Sequence, residues 1–130
     1  PFHAHAGARM SPLVFLFAAL AGGLGAALRY LVDLGVARLA GTRYPWGVLV
    51  INLTGSFALG VITGGFPGAA VIVGAGLLGG YTTFSTAMLD TVALWRDGSS
   101  RAAAFNAAGM LLLGILAAVG GLALGAALAG

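Results

Sequence analysis

Four mostly apolar stretches, 13–32, 47–64, 69–95 and 102–124, occupy most of this 130-residue chain. About twenty such residues cross a bilayer as a helix, so these residues allow four spans joined by short connections. Only 7% of the residues are charged, where a soluble domain carries about a quarter. The expected fold is therefore an all-α membrane protein, a single transmembrane domain with four helices. A separate substrate domain does not fit in this length. With no cysteine in the chain, disulfides, zinc-thiolate sites and thiol catalysis are excluded. An enzyme is not expected. All six basic residues are arginine, placed at span ends and loops rather than in a run, which gives nucleic-acid binding no support.

The third stretch is written differently from the others. Gly79-Gly80-Tyr81 is followed by Thr82-Thr83-Phe84-Ser85-Thr86, two adjacent glycines and then a cluster of hydroxyls inside an apolar region. Hydrocarbon offers no water to freed backbone groups, so a span is interrupted only where protein or a wet cavity covers the interruption. The expectation is a helix broken near its middle, over 79–83, with half-helices at 69–78 and 84–95. The first half presents partly negative carbonyls and the second partly positive amides. Such a place can hold a cation on carbonyls and draw an anion to amides and hydroxyls. The plainer reading is a glycine kink whose hydroxyls bond back to their own helix.

Elsewhere the chain offers fewer polar groups. Residues 1–10 read as a disordered or non-native extension, because Met10-Ser11-Pro12 resembles a natural start; His3 and His5 there are a marginal metal pair. Arg29 lies near the end of the first span, where it either snorkels, pairs with Asp33, or shapes the field at an ion entrance. Residues 35–44 read as a loop, after which Pro45-Trp46 opens the second span, with Tyr44 and Trp46 as interfacial anchors. Asn52 needs partners in hydrocarbon, as interhelical glue or as a donor to a dehydrated anion. Gly60 with Gly64 and Gly121 with Gly125 are small-residue pairs suited to close helix packing. Asp90, one turn after Thr86, is placed to accept its hydroxyl. Ser99 and Ser100 are placed to cap the fourth helix.

Three segments, Gly22 to Tyr30, Asn52 to Phe57 and Gly79 to Thr86, stand in an order and at separations that resemble the CrcB/Fluc family of fluoride channels. The resemblance covers the first three spans well and the fourth by length and glycine pattern. It implies a subunit that pairs antiparallel with a second, inverted subunit and exports fluoride passively through pores along the dimer interface. By position, it implies pore or anion-binding roles for Asn52, Phe84, Ser85, Thr83, Thr86 and Arg29. It also implies a structural sodium ion held by the backbone carbonyls of Gly79 and Thr82, and a place in the cell inner (plasma) membrane. Fluoride is small and strongly hydrated, so a selective pore must replace water with donors and the positive edge of an aromatic ring without a tight fixed countercharge.

The chain departs from that family pattern at Ala87, where a second phenylalanine is usual, and at Asp90, where glutamate is usual. On the fourth span Phe105, Gly109 and Leu113 fall where a row of hydroxyl side chains is expected, and one pore built on that row is expected to conduct poorly. Arg38, Arg43, Arg96 and Arg101 lie on one side of a four-span chain, and arginine-bearing loops stay cytoplasmic. The expectation is a subunit with its termini outside that works with a paralogous partner of opposite orientation. A small proton-coupled exporter of the multidrug type, using Asp90, and a non-conducting structural partner subunit are the alternatives.

Overall fold

The structure, a computed structural model, describes residues 11–130; the extension at 1–10, with His3 and His5, lies outside them. The first helix, α1 (Pro12–Ala40), begins on a Ser11 hydroxyl that accepts the Val14 amide at 3.1 Å, with Pro12 in the first turn, where its missing N–H is not needed. It runs past the expected end at 32. Residues 35–40 are helical, not loop, because Val36, Ala37, Leu39 and Ala40 continue the apolar helix as far as Gly41. Gly41 takes a φ of 79°, which glycine adopts without a Cβ clash. The second helix, α2 (Trp46–Gly65), follows Pro45.

The third span is composite. A 3-10 turn, Pro67–Ala69, leads into a π-helical stretch, Ala70–Leu78, then a single helical turn, α3 (Gly79–Tyr81). Residues 82–84 leave the helix, and α4 (Ser85–Arg96) resumes it. The break is real but lies later than expected at 79–83. Gly79 and Gly80 are helical, Gly79 with φ −62° and ψ −39°; Thr82, with φ −76° and ψ 157°, is where the chain becomes extended. A turn through Gly98, φ 85°, leads to α5 (Ser100–Ala129), where Ser99 takes the N-cap position without a side-chain bond. Counting 67–96 as one, all four segments are long and apolar enough to cross a bilayer.

Glycines explain how the helices pack. Between lipid-exposed helices the hydrophobic effect gives little drive, so association relies on close backbone approach. α2 and α5 form the most extensive helix contact. A Cβ on Gly60 would overlap the Ala118 carbonyl, one on Gly64 the Leu122 carbonyl, and one on Gly121 the Phe57 carbonyl, while Gly65 and Gly125 lie backbone to backbone. The third span seats on α1 in the same way: Gly76 against Ala18, Gly80 against Gly22, and Gly25 against Leu77 and Tyr81. Gly80, expected to loosen the helix, lets it approach α1.

A polar knot closes one end of the bundle. Asn106, fully buried on α5, donates to the Thr91 hydroxyl at 2.8 Å and to the Ala87 carbonyl at 3.4 Å on α4, and accepts from the Tyr44 phenol at 3.2 Å. Tyr44 also packs on Trp46 and edge-on against Phe105. Burial raises the Tyr44 pKa above its ordinary value, which keeps the phenol protonated as the donor this bond requires. The adjacent glycines of α5 make the packing account testable. Gly121→Ala should destabilise the detergent-solubilised protein by about 1 to 3 kcal/mol, as overpacking does. Gly120→Ala, where a Cβ meets nothing nearer than Phe57 Cε2 at 4.0 Å, should not destabilise it. Thermal unfolding of the two variants side by side checks this.

Candidate functional site

The broken third span is held open from α2. Asn52 Nδ2 donates to the Thr83 carbonyl at 2.7 Å, and the Thr83 amide donates to Asn52 Oδ1 at 2.9 Å. A helical residue points its N–H and C=O in opposite directions along the axis. One carboxamide can therefore serve both only because Thr83 has left the helix. Asn52 Nδ2 also lies 3.6 Å from Met110 Sδ on α5. Gly55, one turn on from Asn52, admits the Thr82 methyl against α2, and Thr54 shares a hydrogen bond with the Tyr81 phenol at 3.0 Å.

This pairing redirects the backbone bonds around the break. In a continuous helix the Gly79 carbonyl would accept from the Thr83 N–H and the Thr82 carbonyl from the Thr86 N–H. Here the Thr83 N–H goes to Asn52, and the Thr86 N–H goes to Thr83 Oγ1 at 3.3 Å. Thr83 thus caps α4 in the manner of a helix-starting threonine. The Gly79 and Thr82 carbonyls lose these helical donors. Thr82, by contrast, bonds back into its own helix, with both N–H and Oγ1 donating to the Leu78 carbonyl, at 2.9 and 3.0 Å.

Two cavities meet at Thr83. The larger, about 700 Å³, brings together Asn52, Ser56, Gly79, Thr82, Thr83, Phe84 and Met110. The smaller, about 300 Å³, brings Arg29, Tyr30 and Asp33 of α1 to Thr83 and Thr86. Of the expected site residues, Asn52, Thr83 and Phe84 share the first cavity, and Arg29, Thr83 and Thr86 share the second. Ser85 lines neither and is exposed. Phe84 is 78% exposed, with its ring turned away from the chain's own core.

Phe105, Gly109 and Leu113 do not form the row of α5 that packs within the chain. Phe105 is half exposed. The row that faces α2 and α4 is one residue later: Asn106 bonds Thr91, Met110 lies on Asn52, and a Cβ on Gly114 would lie 3.9 Å from Ser56 Oγ. Asn106, in the sequence only an isolated polar residue near a helix start, carries the buried knot behind α4. Met110 puts a thioether where the row meets the break.

Residues 16–122 match the family described as CrcB-like protein, Camphor Resistance (CrcB). Curated relatives include "Fluoride-specific ion channel FluC 1" of Leifsonia xyli subsp. xyli, 44% identical over 122 residues, 89% of each chain. The protein of the same name in Symbiobacterium thermophilum is 46% identical over 114 residues, 82% of this chain and 92% of that one. The Rubrobacter xylanophilus protein, also so named, is 40% identical over 124 residues, 93% of this chain and 100% of its own. With that match over most of its length, and with a helical bundle whose third span breaks beside a polar residue of the second, this chain belongs to the CrcB family.

Proposed function

We propose that this chain is a subunit of a fluoride-selective channel that lets fluoride leave the cell passively. The observation that carries the reading is Thr83, a residue out of the helix in mid-span that borders both cavities. The curated relatives, named as fluoride-specific channels, match the chain over most of both lengths. In this reading Arg29 gathers anions into the smaller cavity without binding them tightly, because Asp33 in the same cavity offsets its charge. The Thr83 and Thr86 hydroxyls replace water around the ion. The larger cavity has no charged lining residue, so nothing there traps a desolvated anion, and Phe84 offers its ring edge.

A second subunit completes the pore. Phe84, Ser85, Thr86 and Gly79 are all exposed on the single chain, and a mid-span break with hydroxyls facing lipid is unstable unless covered. An inverted copy, or a paralogue inserted the other way, would set its own broken span over this one. The arginines favour the paralogue, since Arg38, Arg43, Arg96 and Arg101 bias this chain to a single orientation in the plasma membrane. A structural sodium ion fits the donor set at the dimer centre, for the Gly79 and Thr82 carbonyls are hard oxygen donors released from the helix. When bound there, it would balance the partly negative C-terminal end of each subunit's first half-helix.

Fluoride efflux from liposomes tests the reading, first with this chain alone and then with a candidate paralogue. Fluoride should leave down its own gradient, and chloride should not follow. Arg29→Gln should slow efflux several-fold at low ionic strength and by less at about 1 M inert salt, where the Debye length falls to about 3 Å. Asp90→Asn separates channel from exporter. In a channel it alters the rate but leaves flux indifferent to an imposed pH gradient, whereas loss of proton-driven uptake would show the coupled exporter instead.

A further inference from the structure

We infer that Met110 on α5 is a positioning residue for the permeating anion: its thioether is a weak resting acceptor for one hydrogen of Asn52, and it yields that hydrogen when the anion arrives. This inference rests on the channel reading of the broken span. A carboxamide carries two hydrogens on its nitrogen and an acceptor oxygen. The Asn52 oxygen accepts the Thr83 N–H at 2.9 Å, and its nitrogen donates to the carbonyl of the same residue at 2.7 Å. Both edges of the amide thus meet one residue, which engages the hydrogen lying beside the oxygen. The other hydrogen points away from Thr83, and the acceptor beside the nitrogen there is Met110 Sδ, at 3.6 Å. Asn52 and Met110 both line the larger cavity and are both only half-buried, so this hydrogen can be reached from the cavity.

Sulfur suits this task because it is a poor acceptor. A thioether gives the hydrogen a resting partner where leaving it bare costs stability, yet competes weakly for it. Conduction requires binding favourable enough for the ion to enter and weak enough for it to leave. An oxygen acceptor in that place would hold the hydrogen against the anion, and an aliphatic side chain would leave it unpartnered, so that the anion is held harder. Methionine lies between the two. Its three rotatable bonds let the sulfur swing aside without moving the backbone, and the two bonds from Asn52 to Thr83 keep the break in place meanwhile.

Two opposite perturbations of the sulfur test this. Met110→Leu keeps the volume and removes the acceptor. Hydrogen peroxide does the reverse: it transfers one oxygen atom to the sulfur and leaves as water, and the sulfoxide oxygen is a strong acceptor with no hydrogen to donate. Met88 lines the same cavity, so oxidation is carried out on Met88→Leu and confirmed by mass spectrometry. Met88→Leu with Met110→Leu, oxidised alongside, shows any effect of Met10. The side-chain amide signals of Asn52 in isotope-labelled protein are followed by NMR through titrations with sodium fluoride and with sodium chloride, and fluoride efflux from liposomes is measured beside them. Fluoride should move the Asn52 signals, and chloride should not. Met110→Leu should lower the half-saturating fluoride concentration about fivefold, the scale of one modest hydrogen bond, and slow maximal efflux. Oxidation should raise that concentration by a similar factor. A mere packing defect gives no reason for affinity to shift in opposite directions. Shifts in the same direction, no shift in either, or Asn52 signals that fluoride leaves unmoved would overturn the inference. Absence of efflux from the wild type, alone and with a paralogue, would count against the channel reading, while the Asn52 signals still decided the role of Met110.

Discussion

One carboxamide on α2, bonded to both the N–H and the C=O of Thr83, sustains the break in the third span. In hydrocarbon an unsatisfied peptide group costs several kcal/mol, so a transmembrane helix left to itself stays continuous. Asn52 supplies a substitute acceptor and a substitute donor at Thr83, in the middle of the stretch where the helix comes apart. Thr83 then supplies its hydroxyl to the Thr86 amide, which starts the second half. The break is therefore a set of exchanged hydrogen bonds, with carbonyls as the groups left over.

The exchange works only if α2 and the third span are held in a fixed relation, and glycines do this. Third-span glycines bring that segment onto the backbone of α1, while α2 and α5 close on one another through Gly60, Gly64, Gly121 and Gly125. Gly55, on the same face as Asn52, leaves room for Thr82 to sit against α2. Behind α4, Asn106 ties its first turns to α5 and to the connection before α2. The exposed side chains of the break thus project from a support that is itself rigid.

Much of this was legible in the residues. The four spans, the interruption of the third and the isolation of Asn52 all follow from hydropathy and from the cost of placing amides and hydroxyls in lipid. Other features were misplaced for identifiable reasons. Gly79-Gly80 reads as the break because glycine is a poor helix former, yet in a membrane bundle the missing Cβ is used for approach, and the extended residue is Thr82. Which face of α5 packs inward could not be read either, because its sequence is apolar all round, leaving no amphipathic stripe to orient it.

That the chain spans a membrane four times, and that its third span cannot run unbroken through its hydroxyl cluster, follows from transfer energies of individual residues. Which bonds the break exchanges is settled by how the helices pack. That depends on a residue thirty-one positions away, Asn52, reaching Thr83, and no local pattern encodes such a distance. Packing likewise decides that Met110 and Asn106, rather than Phe105 and Leu113, face the neighbouring helices, since the rotation of an evenly apolar helix is set by what its glycines pack against.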